Sequence, residues 1–332
     1  MSETAVQRVE AERAENARPK KRAPTWPWEF ARDVAYLRAG ISNLFFIGPP
    51  DAGDRNWVLV DAGLCGYADC IAEAAASRFG SRARPAAILL THGHFDHVGA
   101  LADLAKRWDA PIHAHPLEMP FLTGRCPYPP PDPTVGGGLM SSLSWLYPRG
   151  PIDLGGRARD LPADGVVPEL PGWRWIHTPG HSPGHVSFFR DRDRTLIAGD
   201  AFVTTNQESA LSVLTQRPTV HRPPAYFTQD WEQARHSVET LAALKPVIAG
   251  TGHGVPVKGE ELHHGLLTLA VDFQRQATPP YGRYVGTPAE FGRLGVISTP
   301  PDVPHPLLRL LVGFGLGLVA GQALRSSRGR GA

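Results

Sequence analysis

The chain of 332 residues is poor in sulfur and in net charge. It has 3 cysteines, none of them in a CxxC spacing. An odd number so placed makes no disulfide framework and suits a reducing compartment such as the cytoplasm. Cys65 and Cys70 flank the start of a candidate helix and read as ordinary thiols. Lysine and arginine total 34 against 32 acidic residues, a formal net charge of +2, so no broad basic face marks nucleic acid as a partner. The RPKKR run at 18–22 is local and lies in a polar leader, residues 1–25, read as a flexible tail. That charged start lacks the apolar core of a secretory signal peptide. An apolar stretch near the other end, 307–324, is uncharged only over 310–324, 15 residues, short of the roughly 20 that cross a bilayer as a helix.

What is present is an α/β pattern. Hydrophobic residues make up 42% of the chain, ample for a core. Short apolar runs, VAYLRAG, NLFFIG, WVLVDAG, PAAILL, WRWIH, HVSFF, TLIAG and PVIAG, read as strands. Helices are expected over about 67–78, over VGALADLAKRW at 98–108, and over about 230–244, where Asp230 is the N-cap and Gln233 stands three residues on.

Histidine and aspartate gather where these runs stop. THGHFDH follows PAAILL and precedes a helical pattern, which places His92, His94, Asp96 and His97 on a strand-to-helix turn whose side chains fan toward one point. His181 lies in the Pro/Gly loop of IHTPGHSPGH, Asp200 ends TLIAGD, and His253 ends PVIAGTGH. Strands that stop at a histidine or aspartate beside glycine deliver ligands to one sheet edge. Imidazole nitrogen and carboxylate oxygen are the donors that zinc-like ions take. Asp61 ends WVLV, where it either orients a ligand or serves as a turn residue. His185, four residues after His181, could be taken for the ligand instead, whereas His113, His115, His177, His221, His236, His263, His264 and His305 carry no motif.

These motifs, over roughly 34–258 and including DAG at 61–63, THGHFDH, TPGHSPGH, GD at 199–200 and TGHG around His253, resemble the metallo-β-lactamase superfamily of metallohydrolases, glyoxalase II-like members among them. The resemblance implies a four-layer αβ/βα sandwich with the metal site at one sheet edge. It implies a first metal held by His92, His94 and His181, a second by Asp96, His97 and His253, and Asp200 bridging. Asp61 and His185 would support the ligands from behind. The expected activity is hydrolysis of a small-molecule ester, thioester, lactone or lactam by a hydroxide bridging two Zn²⁺ ions, with Asp96 orienting it; iron and manganese suit the same donors. An iron-dependent oxidoreductase of the persulfide dioxygenase type is the alternative, and a non-catalytic binding protein would lack ligands that this chain has.

The expected organisation is a tail over 1–25, a catalytic domain over 26–275, a proline-rich linker over 276–306, an apolar helix over 307–324 and a basic tail over 325–332. Gly313, Gly317 and Gly321 repeat a small-residue spacing and arginines follow, so the apolar helix suits either a cytoplasmic membrane surface or a partner helix. Two inserts lie between ligands. Residues 125–152, rich in proline and glycine yet carrying Tyr128, Trp145 and Tyr147, read as a lid; residues 203–229 would wall the pocket with Arg217, Arg222, Tyr226 and Phe227.

Overall fold

The computed structural model describes residues 27–302 except 168. The leader, the segment 307–324 and the basic tail lie outside the described residues.

Seven strands form the first sheet in the order of the chain: β1 (Trp28–Ala31), β2 (Val34–Ala39), β3 (Ser42–Ile47), β4 (Val58–Val60), β5 (Ala87–Leu89), β6 (Ile112–Ala114) and β7 (Ala158–Asp160). β1 to β4 pair antiparallel and β4 to β7 parallel. Five strands form the second sheet: β8 (Trp173–His177), β9 (Val186–Arg190), β10 (Thr195–Ile197), β11 (Ile248–Gly250) and β12 (Val257–Lys258), with β10 and β11 parallel and the other pairs antiparallel.

Strand alternation builds the layers, because successive side chains point to opposite faces. Phe45, Ile47, Val58, Val60, Ala87 and Leu89 pack with Val186, Phe188 and Ile197 in the seam between the sheets. Their neighbours Leu44, Phe46, Leu59 and Ile88 point the other way, against helices α1 (Ala68–Phe79), α2 (Phe95–Val98) and α3 (Leu101–Trp108). On the far side Phe189, Leu196 and Ala249 meet α4 (Trp231–Ala243) and α5 (Gly259–Val271). The result is the helix-sheet-sheet-helix sandwich. Asp230 caps α4 by accepting the Gln233 N–H at 3.0 Å, as the sequence suggests.

The helix after the THGHFDH turn differs from the expected single run. It breaks at Gly99, whose N–H donates to Gly63 O at 2.8 Å rather than continuing the helical ladder. Gly99 lies so close to the 61–65 loop that a Cβ there would stand 2.2 Å from Cys65 N. The break therefore locks the metal-motif turn onto the loop that carries Asp61. Gly99→Ala is expected to cost about 1–3 kcal/mol by overpacking; unchanged thermal and urea melts would contradict this.

Residues 276–302 also differ from expectation. They do not form a free linker: Ala277, Tyr284 and Ala289 are buried, and β13 (Glu290–Gly292) pairs with β14 (Gly295–Ser298). The Arg283 N–H donates to Asp132 at 2.5 Å and the Tyr284 hydroxyl to Pro130 O at 2.6 Å. Apolar side chains among the prolines give the segment surface to bury, and it straps the 125–152 insert to the domain. Among the described residues no helix is long and apolar enough to cross a membrane.

Candidate metal centre

The carboxyl ends of β4, β5, β10 and β11 and the amino end of β9 meet at one edge of the sandwich. There the turn 91–97, the loop 178–185, Asp200 and His253 converge, and all seven expected residues are brought together and buried. Potential ligand atoms lie within 4.8 Å of one another in three sets: His92, His94 and His181; His92, His97 and Asp200; Asp96, His97 and His253. Asp200 Oδ2 stands 3.1 Å from His253 Nε2, 3.4 Å from His181 Nε2 and 3.7 Å from His97 Nε2. Asp96 Oδ2 is 3.4 Å from His253 Nε2.

Several of the atoms aimed into this space lack protein partners. His92 Nε2, His97 Nε2 and Asp200 Oδ1 are buried without a hydrogen bond, and His94 Nδ1 faces His181 Nε2 at 2.9 Å. Buried polar atoms are rarely left so, and nitrogen and carboxylate donors converging on one space fit divalent cations. Crowding leaves no room for a side chain at Gly252, whose added Cβ would lie 2.0 Å from Asp200 Oδ1.

Partners behind the ligands set which nitrogen faces inward. His97 Nδ1 donates to Asp61 Oδ2 at 2.9 Å, His92 Nδ1 to Thr91 Oγ1 at 3.0 Å and His253 Nδ1 to Ile41 O at 2.7 Å, leaving each Nε2 to the centre. Asp61 also accepts the Thr91 N–H and hydroxyl, both at 2.8 Å, and holds a left-handed φ of 62°. His185 is no member of the three sets. Its Nε2 accepts the Asp200 N–H at 2.8 Å, so its proton sits on Nδ1, donated to Thr178 Oγ1 at 2.8 Å.

Electrostatically the centre has two halves. Burial, then the neighbouring imidazoles, pushes His92 and His94 well below the ordinary histidine range, and burial pushes His181 down to about 4. These imidazoles are neutral, the form that binds a cation. Burial also opposes charge on His97 and His253, but Asp200 and Asp96 outweigh it and raise both. Burial resists ionisation of Asp200, and His253 and His97 overcome it, holding its carboxyl well below the usual range. The carboxylates thus draw positive charge into the half that holds them.

Both inserts reach the centre through aromatic rings. Tyr128 lies 4.5 Å from the His94 ring and Phe227 lies 4.6 Å from it; Tyr147 packs 6.1 Å from Phe227. The two arginines expected to wall the pocket do not face it. Arg217 is exposed, and Arg222 donates to Ala277 O at 3.0 Å. Thr91 and a buried glutamate, Glu118, were missed by sequence reasoning, and only the position of Thr91 inside the motif could have signalled its role.

A double sandwich with a buried histidine and aspartate cluster at one edge defines a metal-dependent hydrolase. The chain belongs to the metallo-beta-lactamase superfamily, whose family model matches residues 37–253. It is 46% identical over 243 residues, 73% of this chain and 92% of the relative, to the probable metallo-hydrolase YflN of Bacillus subtilis. A second protein of that organism, the probable metallo-hydrolase YybB, is 31% identical over 236 residues, 71% of this chain and 90% of the relative. Among solved structures, a beta-lactamase domain protein from Burkholderia ambifaria superposes with a TM-score of 0.51 at 19% identity, covering 77% of this chain and 79% of that one. The BLEG-1 B3 metallo-beta-lactamase does so with 0.50 at 22%, covering 69% and 97%. Both likenesses are of fold.

Asp61→Asn keeps the shape of the His97 partner but removes its charge. The expected result is a roughly 10–100-fold loss of metal affinity in chelator competition; wild-type affinity would refute the role given to Asp61.

Proposed function

We propose that this metal-dependent hydrolase holds two divalent cations, Zn²⁺ in the first instance, and cleaves a small-molecule ester, thioester, lactone or lactam. His92, His94 and His181 would hold one cation, Asp96, His97 and His253 the other, with Asp200 bridging. The observation that carries the reading is the placement of Asp200 Oδ2 within 3.7 Å of nitrogens from both sets. When bound, such cations lower the pKa of water to about 7 and polarise a carbonyl oxygen, so no serine or cysteine nucleophile is needed.

The chain's own groups do the rest. Asp96 is the most accessible of the seven, at 5%, which supports a role for its carboxylate in orienting the attacking water and accepting its proton. Asp61 and Thr91 fix the tautomers of His97 and His92, and His185 holds the Asp200 backbone. Tyr128, Phe227 and Tyr147 supply the apolar wall that excludes bulk water beside His94. Cytoplasmic placement belongs to this proposal, supported by the lack of any disulfide among the cysteines. So does contact of 307–324 with a membrane surface or partner helix, supported by its apolar composition and trailing arginines.

The test is metal analysis of protein purified without added metal, followed by a panel of thioesters, lactones, aryl esters and a cephalosporin. Two zinc-like ions per chain and at least one chelator-sensitive turnover are expected. One iron per chain with oxygen uptake would replace the hydrolase by the persulfide dioxygenase type of reaction.

A further inference from the structure

Glu118 follows β6, belongs to none of the ligand sets, and is fully buried. Its carboxylate accepts four hydrogen bonds. Oε2 takes the Gly93 N–H at 2.9 Å and the Tyr128 hydroxyl; Oε1 takes the Ser182 hydroxyl at 2.9 Å and the Gly184 N–H at 2.8 Å. All four bonds are donated to the carboxyl group and none comes from a cationic side chain; burial raises its pKa, and these bonds, that of Tyr128 first, pull it back toward the ionised form. Burying a carboxylate with no cation to pair with is costly, and an apolar residue would fill the space without that cost.

The partners show what the carboxylate joins. Gly93 lies between His92 and His94, whereas Ser182 and Gly184 follow His181. One anion therefore ties the turn that carries two imidazoles of the first set to the loop that carries the third. His94 Nδ1 and His181 Nε2 meet at 2.9 Å, so the separation of the two backbones behind them sets how these nitrogens face a shared cation. The Tyr128 hydroxyl also accepts the Gly93 N–H at 3.0 Å, while its ring covers His94. The fit has no slack: a Cβ would stand 2.7 Å from Tyr128 Oη at Gly93 and 2.8 Å from Glu118 Cγ at Gly184.

We infer that Glu118 is a positioning residue that holds the His92–His94 turn and the His181 loop at the separation the first cation needs, so that affinity for that cation depends on it. The inference rests on the reading of His92, His94 and His181 as one ligand set. Glu118→Gln is the sharp variant. It keeps the volume but turns one acceptor into a donor, and whichever way the amide lies it opposes a backbone N–H, of Gly93 or of Gly184. Ser182→Ala and Tyr128→Phe each remove one donor and keep the anion.

The experiment titrates wild-type and variant full-length protein with Co²⁺ and Zn²⁺ against a chelator. It records the visible spectrum of the cobalt protein and the melting temperature of the metal-free protein, with His94→Ala identifying the absorption of the first set. Glu118→Gln is expected to weaken one of two ions by about 10–100-fold and to change the absorption that His94→Ala removes, leaving the other ion as in wild type. Ser182→Ala is expected to shift the same ion in the same direction by less. Wild-type cobalt spectra and affinities in Glu118→Gln would overturn the inference. So would weakening of both ions in parallel with a lowered metal-free melting temperature, which marks a merely structural residue. Should Glu118→Gln fail to fold, wild-type affinity for the first ion in both Ser182→Ala and Tyr128→Phe would overturn it. Wild-type protein that takes up no cation would instead refute the ligand-set reading, and the inference with it.

Discussion

Asp96→Ala is expected to lower kcat/KM by roughly 10³-fold, about 4 kcal/mol of transition-state stabilisation. The substitution removes a carboxylate oxygen 3.4 Å from His253 Nε2, part of the group proposed to hold a cation and orient water. The backbone of the turn should survive it, because Asp96 O still accepts the Ser42 hydroxyl at 2.5 Å and the His97 N–H still donates to His94 O at 2.9 Å. Fold and catalysis are thereby separable: the variant should melt as a folded protein and fail as an enzyme. Steady-state kinetics at saturating metal decide the matter, and activity within tenfold of wild type would remove Asp96 from the reaction.

Stripping the metal should have the second large effect, on stability. A cation present at a thousandfold its Kd stabilises the folded state by about 4 kcal/mol, and at about 2–4 °C per kcal/mol its loss lowers the melting temperature by about 8–16 °C. The structural cause is the set of converging atoms described above. Without a cation, His92 Nε2, His97 Nε2 and Asp200 Oδ1 are buried and unpaired. Calorimetry with and without chelator, then with metal restored, provides the check. A melting temperature that ignores chelator would mean that the cluster holds no cation in the purified protein.

Much of the cluster was legible because its candidate ligands sit in short segments of distinctive composition. His92, His94, Asp96 and His97 lie within six residues on one turn, and His181, Asp200 and His253 each end a run bounded by glycine. Asp61 could be suspected for the same reason. Glu118 could not: its partners lie 25, 10, 64 and 66 residues away, and the surrounding PLEMP carries no pattern of its own. The break at Gly99 was hidden too, because the apolar periodicity of 98–108 continues through it while the backbone bond that interrupts the helix goes to Gly63. The packing of 276–302 was misjudged because proline content argues for a linker, whereas Ala277, Tyr284 and Ala289 are buried in the core cluster that also holds Trp231, Leu266 and Phe273.

By itself the sequence determined which donors this protein owns and on which face of each strand its apolar residues fall, since both follow from residue type and a two-residue period. Tertiary structure alone decided which nitrogen of each histidine turns inward, that one oxygen of Asp200 lies between both sets, and that an anion at 118 fastens two distant loops. Those outcomes depend on distances between segments far apart in the chain, which sheet pairing and helix packing set and no local pattern encodes.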